Sequence, residues 1–178
     1  MAPEEIAEIL RAAFGDAVSE TEMGTSHPSV TVNAERWHEI ARFLRDDDRL
    51  RLNMLRCVSG VDLPEKKQIE VLYDLTSLRP PSVVGSFWTG DNEIAVRVRV
   101  QRDGGHLPSV ADVWPAADWH EREVFDMLGV TFEGHPGLRR ILCPDDWEGH
   151  PLRKDYEFPK EYHGIPGMPP SKPEPSGT

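Results

Sequence analysis

Apolar residues recur at helical spacing from the first turn, where Ile6, Ile9, Leu10, Ala13 and Phe14 follow Pro3-Glu4-Glu5 and stop at Gly15. Proline and acids suit a first helical turn and glycine an end, so an amphipathic helix is expected here. Ala17–Glu22 and Ser29–Val32 read as short strands around a Gly-Thr-Ser-His-Pro turn. Asn33 then caps a second helix through about Leu44, with Trp37, Ile40, Ala41 and Leu44 as its stripe. Arg49–Val61 fits either a helix or a strand at first and an extended strand in its second half. Gln68–Leu75 alternates with Ile69, Val71, Tyr73 and Leu75 on one face, and Glu93–Gln101 sets Ile94, Val96, Val98 and Val100 opposite Arg97 and Arg99. Period-two alternation of this kind predicts a sheet with one solvated face. The stretch between them, Leu78–Asn92, reads as a loop and its Gly90-Asp91-Asn92 as a turn, while its apolar pairs Val83-Val84 and Phe87-Trp88 read as packing under that loop in preference to a partner contact.

After Pro108 the pattern changes. Val110–Trp114 predicts a short helix and Ala116–Leu128 a longer one stopped by Gly129, beyond which periodicity is lost. From Pro159 to Thr178, six prolines and three glycines exclude a helix or central strand. The expected class is therefore α+β: a two-layer domain with a small mixed or antiparallel sheet packed on helices, then a helix and a long extended C-terminal segment. The expected divisions are an α+β domain over 1–108, a helix plus a motif-bearing segment over 109–156, and an extended Pro-rich tail over 157–178.

Composition narrows the function. The chain has 178 residues and a formal net charge of −11, which disfavours nucleic acid and anionic lipid as partners and favours a basic protein surface. Most of the surplus lies in residues 1–48, with eleven acids against four bases. Two cysteines, Cys57 and Cys143, are too few for a disulfide framework or a cysteine-ligated iron–sulfur cluster, and a reducing compartment is expected. No window approaches the ~18 apolar residues of a membrane span, and the N-terminus lacks the pattern of a signal peptide.

Two constellations could carry chemistry. Asp118-Trp119-His120-Glu121-Arg122-Glu123 holds carboxylates and a histidine, the ingredients of acid–base catalysis. On a wheel of ~100° per residue, His120, Val124, Phe125, Met127 and Leu128 share an arc that includes Glu121, while Arg122, Glu123 and Asp126 lie opposite. A buried carboxylate needs a partner, so Glu121 is expected to pair with Arg139, Arg140 or Arg153, and to matter more to folding than Glu123. The second constellation is a repeated phrase, Glu133-Gly134-His135-Pro136 and Glu148-Gly149-His150-Pro151, each followed by a basic pair, Arg139-Arg140 and then Arg153-Lys154. His135, Cys143, Asp145, His150 and His163 include ligand types for zinc or iron, but their spacing matches no dense metal motif. Gly-His-Pro reads instead as a rigid turn whose imidazole bonds backbone. The arginines then either face a carboxylate-rich partner or tie the segment to its own domain. Residues 130–174 are aperiodic yet hold Phe132, Ile141, Leu142, Trp147, Leu152, Tyr156, Phe158, Tyr162, Ile165 and Met168, which predicts a segment that wraps a partner.

Glu121-Arg122-Glu123-Val-Phe-Asp126-Met-Leu-Gly129, His135-Pro136, Arg139-Arg140-Ile141-Leu142, Pro144-Asp145-Asp146-Trp147 and Gly149-His150-Pro151-Leu152-Arg153-Lys154-Asp155-Tyr156 together resemble the signature of the C subunit family of respiratory complex I, the bacterial proton-translocating NADH–quinone oxidoreductase. Arg56, Gly60-Val61-Asp62 and the Gln68–Leu75 strand resemble the family's N-terminal domain more loosely. The resemblance implies a peripheral-arm subunit on the cytoplasmic side of the inner membrane, beside the quinone-site subunits B and D and the ferredoxin-like subunit I, with its C-terminal segment laid over the D subunit. It implies no cofactor in this chain, FMN and the Fe–S clusters being held by partner subunits, and no catalytic or metal-binding residue. Glu121, Arg122, Glu123, Asp126, His135, Arg139, Arg140, His150, Arg153, Lys154, Asp155 and Tyr156 are carried over as structural and docking positions. Two alternatives stand beside it: a homologous subunit of a membrane-bound hydrogenase or of a dehydrogenase using ferredoxin or another donor, and a stand-alone metal-dependent enzyme built on His135, Cys143, His150 and His163.

Overall fold

The computed structural model describes residues 1–79 and 89–167. Helix α1 (Pro3–Phe14) leads into strands β1 (Val18–Glu22) and β2 (Ser29–Val32), and then into α2 (Trp37–Asp46). Asn33 accepts the Glu35 N–H at 2.7 Å and opens a single 3-10 turn before α2. Strands β3 (Met54–Leu63), β4 (Gln68–Arg79) and β5 (Thr89–Gln101) follow, then β6 (His106–Pro108), α3 (Ala117–Leu128) and β7 (Thr131–Glu133). A minimal hairpin, β8 (Glu161–Tyr162) and β9 (Ile165–Pro166), ends the described chain.

The five long strands form one sheet in the order β1-β2-β5-β4-β3. Neighbours are antiparallel except β2 and β5, which run parallel, so the sheet is mixed and open at both edges. Strands β6 and β7 make a separate parallel pair. This is the α+β arrangement the alternation predicts. Ile69, Val71, Tyr73 and Leu75 of β4 and Ile94, Val96, Val98 and Val100 of β5 are buried on one face, together with Ile6 and Leu10 of α1 and the whole expected stripe of α2. Ala13, by contrast, is exposed, while Phe14 beside it packs against the core and edge-on to Phe43. The opposite face carries an ion-pair ladder, with Arg97 on Glu22 at 2.6 Å and Arg99 between Glu20 at 2.9 Å and Glu70 at 2.7 Å.

Three local expectations are corrected. Strand pairing continues into the supposed loop, Leu78 opposite Gly90 and Arg79 opposite Thr89, so the connection shrinks to residues 80–88; Val83–Trp88 lie outside the described residues. Gly90-Asp91-Asn92 belongs to β5 rather than to a turn, and the buried Asn92 amide donates to the carbonyls of Arg49 and Leu50 at 3.1 and 2.6 Å. Turn-forming residues mislead here because a cross-strand ladder satisfies more backbone groups than a local turn does. Val110–Trp114 is one hydrogen-bonded turn, Trp114 N to Val110 O at 2.9 Å, and not a helix.

Helix α3 lies on β3 at Gly60, where an added Cβ would stand 2.2 Å from Leu128 Cδ1. Gly60→Val should therefore cost about 1–3 kcal/mol through overpacking. Chemical denaturation checks this against Ser59→Val, on the exposed face of the same strand, which should stay near wild type; equal midpoints for the two variants would contradict the seating of α3.

Candidate functional site: the clasp around the third helix

A helix ends with four carbonyls that have no partner inside it. In α3 these belong to Phe125, Asp126, Met127 and Leu128, and each finds a donor in the chain that follows. Gly129, left-handed at φ 81°, returns its N–H to Phe125 O at 2.9 Å. His150 Nδ1 lies 2.9 Å from Asp126 O, Leu152 N donates to Met127 O at 3.0 Å, and Arg153 Nε donates to Leu128 O at 2.8 Å. Burial holds the His150 imidazole below its ordinary pKa, so the ring is neutral and carries its proton on Nδ1, the nitrogen facing the carbonyl. Gly129 is needed twice over, since a Cβ there would meet His150 Nε2 at 2.5 Å as well as straining the backbone.

The two Gly-His-Pro phrases hold the two ends of this helix. Gly134 and Gly149 adopt matching left-handed conformations, φ 77° and 76°. The fully buried His135 side chain accepts from Gly137 N at 3.0 Å through Nδ1, which leaves Nε2 to donate to Asp118 O at 3.0 Å in the first turn. Asp118 also pairs with Arg122, one helical turn on, at 2.7 Å. Trp119 is exposed, and the Arg122 guanidinium stacks 5.2 Å from its ring centre.

Asp126 departs most from the helical wheel. Expected on the outer face, it is fully buried, because the returning segment forms a second wall over that side of α3. One oxygen accepts the N–H groups of Ile141, Leu142 and Cys143 at 2.9, 2.7 and 2.9 Å, and the other accepts Arg140 Nη1 at 2.8 Å. Burial alone would raise this carboxyl, but those three N–H bonds and the guanidinium outweigh it and hold the group below the usual carboxylate range. Arg140 also reaches Gly149 O at 2.9 Å, tying the two phrases together.

Glu121 is buried as the wheel predicts, but no arginine meets it. Oε2 accepts from Ser109 Oγ at 2.5 Å and Oε1 from Val110 N at 2.8 Å, so the acid anchors the turn before α3. Burial, reinforced by Asp118 and Asp112, outweighs these two bonds and pushes the carboxyl up to about 7. Arg140 and Arg153 are engaged elsewhere, and Arg139 is exposed with no hydrogen bond or ion pair among the described residues. Glu123 is exposed.

A third fastening joins the segment to the sheet. Asp62 of β3, almost fully buried, takes Arg102 in fork geometry at 2.7 and 2.9 Å and accepts Lys154 N at 2.8 Å. Arg102 Nη1 also bonds Asp155 at 3.0 Å, and its carbonyl accepts Arg153 Nη2 at 2.8 Å, while Arg153 Nη1 reaches Asp103 at 2.9 Å. Tyr156 closes the run by donating to Glu148 O at 3.2 Å. Arg102, Asp103 and Ser109 escape the sequence reading, because each meets its partner across a long stretch of chain and none stands in a motif. The metal candidates are not assembled: His135 and His150 hold opposite ends of α3, and His163 bonds Asp146 at 2.7 Å. Among the described residues no three His, Cys, Asp or Glu side chains form a metal-holding group.

Asp126→Asn keeps the size of the side chain but cannot accept three N–H groups and a guanidinium, and should cost about 2–4 kcal/mol, far more than Glu123→Gln, in denaturant midpoints. For Glu121 the sign is set by a raised pKa: the folded state holds a proton that the unfolded state has released, so stability falls as pH rises from about 4.5 to about 7 and is level above. The loss amounts to up to about 3 kcal/mol. Glu121→Gln should remove that component, leaving a flatter pH profile of thermal midpoints than wild type shows; parallel profiles would reject it.

Comparisons with known proteins identify the family of this fold. Residues 30–162 match the family described as respiratory-chain NADH dehydrogenase, 30 Kd subunit. The NADH-quinone oxidoreductase C subunit of Chlorobium phaeobacteroides is 46% identical over 159 residues, 89% of this chain and 90% of that protein. That of Chloroherpeton thalassium is 44% identical, with 92% of this chain spanning 65% of the longer relative. Among solved structures, a trypsin-resistant fragment of Nqo5 superposes with a TM-score of 0.59 at 32% identity, covering 78% of this chain and all of that one. A chain of the membrane-bound sulfane sulfur reductase, an archaeal respiratory membrane complex, gives a TM-score of 0.67 at 26% identity, covering 86% of this chain and 85% of that one. With matching sequence, fold and signature, the chain belongs to the respiratory-chain NADH dehydrogenase 30 kDa subunit family, the family of the NADH-quinone oxidoreductase C subunits.

Proposed function

We propose that this chain is a structural subunit, with no cofactor of its own, of the peripheral arm of a proton-translocating NADH–quinone oxidoreductase. In this reading it lies on the cytoplasmic side of the membrane beside the quinone-site subunits B and D and the ferredoxin-like subunit I. FMN and the Fe–S clusters belong to its partners, and electrons pass from NADH to quinone through them. The observation that carries the reading is a contrast that runs through the signature segment and into the start of the tail. The signature's polar side chains turn inward to clasp α3, whereas Leu142, Leu152, Phe158 and Ile165 point outward, from 49% exposed at Phe158 to 67% at Ile165. Apolar residues held outward by a rigid polar clasp are the anchors an interface uses. Among the described residues no helix is long and apolar enough to cross a membrane, so membrane attachment falls to other chains.

The chain then divides into an α+β domain over 1–108, a helix-and-signature segment over 109–156 that folds onto it, and a tail over 157–178 that extends over the D subunit. A second reading, the same subunit in a different machine, is favoured by the likeness to the sulfane sulfur reductase chain. Identifying the subunits that co-purify with the native complex separates the two, an NADH-binding flavoprotein marking the first and its absence the second.

Removing residues 157–178 should leave the thermal midpoint within a few degrees of wild type and abolish capture by the D subunit in a pull-down. Full capture by the truncated chain would reject the tail's role. Unfolding of the truncated chain would show that the body ends later than residue 156.

A further inference from the structure

The described chain after the clasp forms an open cavity of about 470 Å³ between the stretch 146–148 and the stretch 156–163. Its volume is in the range of pockets that hold a side chain or a small ligand. Two kinds of group line it. Trp147, Tyr156 and Tyr162 form aromatic walls, with the Trp147 and Tyr162 ring centres 5.0 Å apart. Asp146, Glu148, Glu157 and Glu161 supply carboxylates.

Only one of those acids is engaged. Asp146 accepts from Tyr162 OH and from His163 Nε2, both at 2.7 Å, and these bonds hold it below the ordinary carboxylate range while they lock the aromatic wall in place. The side chains of Glu148, Glu157 and Glu161 make no hydrogen bond or ion pair among the described residues, and the nearby Lys160 is exposed without an acidic partner. Trp147 buries its indole N–H with no acceptor among the described residues, leaving the wall one polar bond short.

Unpaired carboxylates around aromatic faces attract a cation, and a planar cation satisfies both, stacking on a ring while it bonds carboxylate oxygens in fork geometry. We propose that this cavity receives an arginine side chain from a basic segment of the subunit on which the chain docks. The proposal rests on the docking role set out above and adds the chemistry of the contact. It also runs along the exposed anchors, since Phe158 packs edge-on against Tyr156 at 5.1 Å and Ile165 lies in β9, paired with the lining residue Tyr162.

The test replaces the chain in cells that lack their own copy and measures its incorporation into the assembled oxidoreductase. Glu157→Gln with Glu161→Gln should lower incorporation at least ~10-fold, the scale of a lost charge-assisted contact, and Glu157→Lys with Glu161→Lys should lower it further. Both pairs should melt like wild type, because the two side chains are exposed and unbonded in the free chain. Glu8→Lys with Glu65→Lys, the same charge change on exposed positions elsewhere, should incorporate normally. Normal incorporation of the pocket variants beside normal wild type would overturn the cavity's role and leave the docking role standing. Failure of the wild-type chain itself to incorporate would overturn the docking role. An equal loss from Lys172→Gln, the only base after residue 167, would assign the cavity to the chain's own tail and overturn the proposal.

Discussion

The structure after residue 116 depends on one constraint: the last four carbonyls of α3 must be satisfied in a place where β3 and the returning chain both exclude water. Helix ends in small domains commonly meet this demand with a glycine and solvent. Here Gly129 supplies one bond and a segment more than twenty residues further on supplies the other three, through His150, Leu152 and Arg153. A buried polar end of this kind leaves the aperiodic segment little freedom. If it detached, three carbonyls and the Asp126 carboxylate would lose their partners together and Asp62 its bond from Lys154 N, and each unsatisfied buried group costs about 1–3 kcal/mol. The segment is therefore part of the folded body although its only regular element before residue 161 is three residues of strand.

That cooperation explains which residues could be read from the sequence. Alternation and helical stripes reflect burial against a single layer, and for β4, β5, α2 and the Glu121 face of α3 a single layer is what exists. Asp126 lies about 140° around the helix from Glu121 and belongs on the outside of any one-layer helix. It is buried because the chain supplies a second layer with no period of its own. The expected arginine partner for Glu121 fails for a related reason. A carboxyl that retains its proton up to about pH 7 needs no cation, and Ser109 with the Val110 N–H suffices.

The repeated phrase was legible as a pair of rigid turns with imidazoles on backbone, and it is that. Its direction was not legible, since spacing alone allowed the arginines to face a partner or their own domain. Arg140 and Arg153 turn inward, for a geometric reason: an arginine fork reaches a carboxylate and a carbonyl at once, and the C-terminal end of α3 offers both. Arg139, one residue along, projects away and remains exposed.

Charge then acquires a different meaning. Residues 135–155 carry four bases and four acids, which as a sequence suggests a neutral contact strip. In the folded chain Arg140 is taken up by the buried Asp126, and Arg153 by the Leu128 and Arg102 carbonyls and the exposed Asp103, so the cavity rim is left to Glu148, Glu157, Glu161 and the aromatic rings around them. With two of the four bases turned inward, the cavity rim is acidic and aromatic. Apolar anchors give such a face affinity without direction, whereas unpaired carboxylates beside ring faces select a basic, planar group and reject an acidic one. The chain's net charge of −11 and its clasp thus point the same way: the polar chemistry of the segment builds the fold, and what it leaves exposed suits a basic partner.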